Sequence, residues 1–251
     1  MSRTKRSFAV TKVASDGSSD TRAGRVEVEE PLEIRAGGAS VSTLTRTPGH
    51  DIELAHGLLQ AQGLIARLED VVTARYCEGT IGGENTYNLL DIQLAQPVIP
   101  QFIDPIPGDA CGISAEQRVR ELASSLNVRT EFAGFEPSTI FALPALLSRH
   151  RARELSTAVA GDVGRQDLNP VNAVHKVAGH MLLNGVPSPT FPLAVDAQVG
   201  FEIVRAAAAA GFSAVATTAD VTSMAVELAR ATNTVLIGEI TAERFSVYSG
   251  A

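Results

Sequence analysis

From residue 26 the chain alternates apolar and acidic positions as Val26-Glu27-Val28-Glu29, and after Pro31 the alternation resumes in Leu32-Glu33-Ile34. Gly37-Gly38 then turns the chain into Val41-Ser42-Thr43-Leu44-Thr45. A period of two on both sides of a glycine pair predicts a β-hairpin. Arg46-Thr47-Pro48-Gly49-His50-Asp51 has the composition of a tight turn, and behind it Ile52, Leu54, Ala55, Leu58 and Leu59 follow helical spacing until Gly63. Further strands are predicted at 71–77 and 87–94. The order β-β-α-β-β predicts a small α+β domain over residues 25–100.

The second half has a different rhythm. Ser114 followed by Gln117 is capping-box spacing, so a helix is predicted from Ala115, with another at 140–147. Asn169-Pro170 opens a third, whose apolar side carries Val174, Val177, Ala178, Met181 and Leu182. On its other side Asn172, Lys176 and His180 recur every four residues, as a solvated face or the lip of a site. Then come a strand at 191–195, an Ala-rich helix at 198–210 ended by Gly211, and a strand at 214–216. A helix at 221–230 capped by Asp220, a strand at 235–238 and a final strand at 245–248 complete the series. This succession over residues 115–251 predicts a parallel sheet covered by helices. Residues 1–24, polar and rich in Ser and Gly, are predicted to be a disordered tail.

With 45% apolar and 20% charged residues in 251, the chain can bury a real core. A net charge of −7 argues against non-specific nucleic-acid binding, and no export signal or membrane-spanning run is visible. Two cysteines point to a reduced, cytoplasmic protein rather than a disulfide scaffold, and the five scattered histidines do not make a zinc site. His50 and His56, six residues apart, do not share a helical face, and His50 is expected to order its turn.

Candidate chemistry centres on Cys111. It sits in Ile106-Pro107-Gly108-Asp109-Ala110-Cys111-Gly112-Ile113-Ser114, a Pro/Gly-rich stretch within an expected mobile loop at 101–114. Small neighbours leave its sulfur uncovered, and the helix that follows favours the thiolate. Two readings stand, a reactive cysteine and an inert loop residue. Cys77 falls in a predicted strand as sheet filler. Open α/β sheets bind ligands beyond the carboxyl ends of their strands, which singles out Glu239, Ile240, Thr241, Ala242, Glu243 and Arg244, with Arg244 as anion anchor.

Taken together, these segments resemble the formate dehydrogenase accessory sulfurtransferases, the FdhD/NarQ family, from about 28 to 249. Glu29-Glu30-Pro31-Leu32-Glu33-Ile34 and Arg46 through Ala55, with Gly57 and Gly63, are similar to the family's N-terminal signature. Ala110-Cys111-Gly112-Ile113 lies where the family has Cys-Gly-x-Cys, and Asn172-Ala173-Val174-His175-Lys176-Val177 resembles its Asn-Ala-Val-Asp-Lys segment. Phe201-Glu202, Thr222 through Ala229 and Arg244 through Ser249 continue in order, and His150 stands at the distance from Asp167 of a family histidine.

The resemblance implies a carrier that takes sulfur as a Cys111 persulfide from a cysteine desulfurase. It passes that sulfur to the molybdenum bis(molybdopterin guanine dinucleotide) cofactor of formate dehydrogenase, with Arg244, Asn172 and Lys176 among the cofactor contacts. It also implies a cytidine-deaminase-like three-layer α/β/α domain behind the α+β domain, and a homodimer. Three departures stand out: Ser114 replaces the second loop cysteine, Asp167-Leu168-Asn169-Pro170-Val171-Asn172 replaces Asp-Val-Gly-Arg-His-Asn, and Asp196-Ala197-Gln198 replaces Ser-Gly-Arg. Two other functions are carried beside the sulfurtransferase. One is a catalytically silent assembly or cofactor-binding protein. The other is a different enzyme on the same fold, such as a zinc deaminase, whose His/Cys-x-Glu and Pro-Cys-x-x-Cys motifs are missing.

Overall fold

In a computed structural model of the chain, residues 4–77, 80–81, 84–85, 87–96, 115–124, 126, 134–152 and 154–250 are described. The predicted hairpin is β3 (Glu30–Ala36) with β4 (Ala39–Arg46), and Gly37 and Gly38 both take positive φ, 60° and 83°, as a tight hairpin turn demands. Helix α1 (Asp51–Ala61) follows, then β5 (Val71–Tyr76), the short pair β6 (Thr80–Ile81) and β7 (Glu84–Asn85), and β8 (Leu89–Leu94). The four long strands form a sheet of order β4-β3-β8-β5. Its alternate residues Leu32, Ile34, Leu90 and Ile92 are buried against Leu54, Leu58 and Leu59 of α1.

The expected disordered tail is instead a hairpin. β1 (Lys5–Val13) pairs antiparallel with β2 (Ser19–Glu27) in an unbroken register from Lys5↔Glu27 to Val13↔Ser19. None of its side chains is fully buried. A ribbon exposed on both faces needs no apolar side, so its composition looks like that of a solvated coil.

The second half comprises α2 (Ala115–Ser124), α3 (Pro137–His150), β9 (Ser156–Ala160), β10 (Val163–Asp167) and α4 (Pro170–Leu183). These lead to β11 (Leu193–Val195), α5 (Phe201–Ala209), β12 (Ala214–Thr217), α6 (Ser223–Ala231), β13 (Val235–Gly238) and β14 (Ser246–Ser249). Asn169 caps α4 as its spacing predicts, its side chain accepting from the Val171 N–H at 2.9 Å. Both α5 and α6 begin later than expected, because Val199 and Val221 form an isolated parallel bridge that keeps their surroundings extended. Thr222, rather than Asp220, therefore caps α6, accepting from the Ala225 N–H.

The strand order is β10-β9-β11-β12-β13-β14. Strands β11, β12 and β13 are parallel as predicted, but β9 and β14 run against their neighbours, so the sheet is mixed. Alternation along the strands assigns the layers. Ala158, Ala160, Leu193, Val195, Val215 and Leu236 face α4, α5 and α6, while Val159, Ala194, Ala214, Ala216, Val235 and Ile237 face Ile140, Leu143 and Leu147 of α3. The result is helix, sheet, helix.

The two halves meet where α1 crosses α4. Gly57 leaves no room for a Cβ against the His175 carbonyl, and Gly179 leaves none against that of Glu53, so the two backbones touch. His175 is buried there with no partner for Nδ1 among the described residues. Burial and nearby Arg205 push its pKa down to about 3, so the ring stays neutral.

Candidate functional site

β10 lies two strands from β11 and runs parallel to it, so Asp167, Val195, Thr217 and Gly238 all end at one edge of the sheet. Four strand spacings, about 19 Å, separate the outermost of these ends. Loops beyond β11, β12 and β13 are bonded to one another: Thr217 Oγ1 donates to the Ala197 carbonyl at 2.8 Å, and the Glu239 N–H to the Ala219 carbonyl at 3.0 Å. Gly238 keeps this edge tight, since a Cβ there would press on Tyr248, Val221 and Ala219.

At the β10 end the polar groups are inside the protein. Asp167, 0% exposed, accepts from Lys176 Nζ at 2.7 Å, the Thr47 N–H at 3.1 Å, the Asn169 N–H at 3.0 Å and Asn172 Nδ2 at 3.2 Å. Lys176, 1% exposed, also donates to the carbonyls of Thr47 and Gln166, at 2.9 and 3.4 Å. Burial pulls its pKa below the ordinary lysine value, and Asp167 opposes that pull. Asn172 further donates to the Thr45 carbonyl at 2.9 Å. The solvated-face reading of Asn172 and Lys176 is thus corrected: both are buried clamps between the halves. Spacing along α4 could not show this, because Thr45 and Thr47 are remote in sequence.

A second buried pair stands on the other side of Thr47. Arg46 grips Asp51 through Nε and Nη2, the latter at 2.9 Å, and reaches Glu30 and the Tyr87 carbonyl. Tyr76 adds its hydroxyl to Asp51 at 3.1 Å. Together these bonds fix the 47–50 turn, where His50 takes a left-handed conformation at φ 59°.

Above this floor lies a polar cleft of about 130 Å³, lined by Pro48, Gly49, His50, His150, Gly164, Arg165, Gln166 and Lys176. His150 reaches it from the end of α3 by packing on Gly164, which has no room for a Cβ beneath the ring. Arg165 is held by Glu53 through two bonds, 2.5 and 2.7 Å, and Glu53 also meets His180 and His50 at 3.0 and 3.1 Å. These partners hold the Glu53 carboxyl well below the usual range against a burial cost that acts the other way. Sequence reading missed Arg165, although its place just past the Gly161-Asp162 turn is a hairpin signal.

At the β13 end, the loop picked out by sequence folds on itself. Glu239 has φ 54° and accepts from Ser246 Oγ at 2.7 Å and the Tyr248 hydroxyl at 2.8 Å, which lowers its pKa and raises that of Tyr248. Ile240 is buried under α3, whereas Thr241, Ala242, Glu243 and Arg244 are exposed in a turn closed by the Thr241 N–H to Arg244 carbonyl bond, 2.9 Å. Between the two ends stands Arg151, half exposed, paired with Asp196 at 2.6 Å. It places a guanidinium two residues from Gln198. Cys111 and the whole 101–114 loop lie outside the described residues. Cys77 is half-buried at the end of β5, its N–H bonded to the Leu89 carbonyl.

Among the described residues, no cluster of three or more His, Cys, Asp or Glu could hold a metal ion, and no helix is long and apolar enough to cross a membrane. Comparison with known families gives a match to the FdhD/NarQ family over residues 27–251. The chain belongs to that family. FdhD relatives include the "Sulfur carrier protein FdhD" of Corynebacterium efficiens, 34% identical over 92% of this chain and 91% of that one. The protein of the same name from Nocardia farcinica is 35% identical, covering 92% and 88%. That of Anaeromyxobacter dehalogenans strain 2CP-1 is 36% identical, covering 89% and 86%. Among solved structures, a proposed formate dehydrogenase accessory protein from Desulfotalea psychrophila superposes with a TM-score of 0.74 over 98% of this chain and 96% of that one. At 16% identity the likeness is one of fold.

Proposed function

We propose that this chain carries sulfur for the maturation of a formate dehydrogenase, as a persulfide on Cys111. The observation that carries the reading is membership of the FdhD/NarQ family over residues 27–251, together with curated relatives named as sulfur carriers. The Cys111 thiolate attacks the terminal sulfur of a persulfide on a cysteine desulfurase. The donor's S–S bond breaks, its cysteine leaves as thiolate, and Cys111 retains the sulfur. Thiolate and persulfide merely exchange roles, so no oxidant is consumed. Ser114 leaves no second loop thiol, so one cysteine serves throughout. A reducing cytoplasm would keep that thiol free between turnovers.

The molybdenum bis(molybdopterin guanine dinucleotide) cofactor is the cargo and sulfur acceptor. Its nucleotide phosphates lie along the sheet edge, with Arg244 as anchor, the exposed turn 241–244 beside it, and the Glu239 and Ile240 backbone holding that turn in place. Asn172 and Lys176 act from beneath by fixing Asp167 and the 47–50 turn. The cytidine-deaminase-like ancestry implied for the second half belongs to the same reading.

The test is to incubate the full chain with a cysteine desulfurase and cysteine. A gain of about 32 Da, one sulfur atom, is expected on the peptide containing Cys111, and Cys111→Ser removes both this gain and the activation of a client formate dehydrogenase. An unmodified Cys111 peptide beside a loaded desulfurase overturns the proposal.

A further inference from the structure

The polar cleft above the Asp167–Lys176 pair has no part in the sulfur-transfer reading, yet it gathers two of the chain's five histidines, His50 and His150, with Arg165. It lies at the β10 end of the sheet edge, four strand spacings or about 19 Å from the end of β13 that leads into the 241–244 turn. A group bound in the cleft is therefore separate from one bound at that turn.

Three elements bring uncommitted donors to this one space. His150, at the end of α3, is half-buried with its ring against Gly164, and neither ring nitrogen has a partner among the described residues. Glycine costs β10 stability and marks a close approach, here that of the His150 ring. His50, on the 47–50 turn, spends Nδ1 on Glu53 at 3.1 Å and keeps Nε2 free. Arg165 on β10 gives Nε and Nη2 to Glu53 and Nη1 to the Gly164 carbonyl at 2.9 Å, so at least one of its N–H groups is left over. Lys176 has its hydrogens committed to Thr47, Gln166 and Asp167, and contributes charge from the floor.

Charge and size choose the ligand. The carboxylates behind the cleft, Glu53 and Asp167, are each already bonded to a cation, and no third His, Cys, Asp or Glu completes a metal-ligand set with the two imidazoles among the described residues. A cation would meet Arg165 and Lys176, whereas an anion meets donors from three sides. The volume of about 130 Å³ holds about four waters, room for one tetrahedral oxyanion but not for a sugar or base beside it. We propose that this cleft is a binding site for a tetrahedral oxyanion, free phosphate or the terminal phosphate of a monoester, held between His50, His150 and Arg165.

The test is to titrate the full chain with sulfate, inorganic phosphate and methyl phosphate while following the histidine ring resonances by NMR. Sulfate and phosphate are expected to move the rings of His50 and His150 saturably at about 1–10 mM and to leave buried His56 and His175 in place. Methyl phosphate binding as well as phosphate identifies the end of a monoester as the ligand, and its exclusion identifies the free ion. His150→Phe keeps a ring on Gly164 without its nitrogens, and His50→Asn keeps a residue that tolerates the left-handed backbone. Each should weaken sulfate binding about tenfold, the loss of one charge-assisted hydrogen bond, with the far-UV circular dichroism of wild type. The groups facing the two rings are Glu53 on α1, Arg165 and Asp167 on β10, and Lys176 and His180 on α4, with Arg149 and Arg151 beside His150 in the chain. Of these only histidine ordinarily gains charge between about pH 8 and pH 5.5, and sulfate keeps its own, so sulfate affinity should rise as pH falls through that range. Wild-type rings that do not respond, variants that bind as wild type does, or an affinity that is flat or falls with acidification would each overturn the proposal, whatever the outcome of sulfur loading on Cys111.

Discussion

Gly179→Ala tests the closeness of the α1–α4 crossing, because two physical effects of opposite sign compete there. Inside a helix, exchanging Gly for Ala removes backbone entropy from the unfolded chain and by itself stabilises by about 1 kcal/mol. Against this, the new Cβ would fall far inside van der Waals contact with the Glu53 carbonyl, which is helix backbone and cannot swing aside. The helices must separate by about 1 Å, which forfeits a quarter to a half of the dispersion energy of contacts along the crossing. It also stretches the bonds that bridge it, among them His180 to Glu53 and Lys176 to Thr47. Overpacking of this kind costs about 1 to 3 kcal/mol, and backbone rather than a side-chain tip puts this case at the upper end. After the propensity gain, a net loss of about 2 kcal/mol is expected. With a urea dependence of about 3 kcal/mol per molar, the unfolding midpoint followed by far-UV circular dichroism falls by about 0.7 M. Gly57→Ala, facing the His175 carbonyl, should behave alike. An unchanged or raised midpoint for Gly179→Ala would mean that the helices stand farther apart than described and refute the reasoning.

Lys176→Met strands the buried Asp167 carboxylate and Asp167→Asn strands the Lys176 ammonium, so each should cost about 3 to 5 kcal/mol in urea unfolding. The double variant should cost less than the sum, and strict additivity would show the two groups to be independent. His175 resists protonation until about pH 3 when folded, whereas unfolded it takes up a proton near 6.5. Its stabilising contribution is therefore complete above pH 6.5 and lost as pH falls, by about 2 kcal/mol at pH 5. His175→Gln should flatten the urea midpoint between pH 7 and pH 5, and a slope equal to wild type would exonerate this residue. Below about pH 4.5 the Glu53 cluster takes over the decline, since its depressed pKa adds stability that protonation removes. Arg244→Ala should weaken binding of a guanine nucleotide diphosphate about tenfold by calorimetry while leaving desulfurase-dependent sulfur loading of Cys111 intact, and unaltered affinity would remove Arg244 from the phosphate site.

Where local chemistry decides, the sequence was informative. The alternation around Gly37-Gly38, the apolar spacing of α1 and the Asn169-Pro170 start of α4 each act within a few residues, and each element forms where they place it. The apolar runs of β12 and β13 were equally readable, because strands covered on both faces need no polar side. The β9–β10 hairpin went unread since its two strands have opposite characters: β9 is a buried run, while the edge strand β10 is Val-Gly-Arg-Gln-Asp. The polar residues of β10 belong to the cleft, and their reason lies in α1, α3 and α4. Lys176 repeats the lesson, because a charge four residues from Asn172 looks solvated until the 47–50 turn closes over it. Cys111 lies outside the described residues, and its reading rests on its Pro/Gly-rich setting and on the family resemblance.

Thr47 has a consequence for how the molecule is made. Its N–H and carbonyl complete the shells of Asp167 and Lys176, so the C-terminal half cannot bury its own charges until the N-terminal half is present as a template. Synthesis supplies the halves in that order, with the turn already waiting when α4 leaves the ribosome. Grafting the C-terminal half alone onto another scaffold would strip that template away and leave an ion pair open to water.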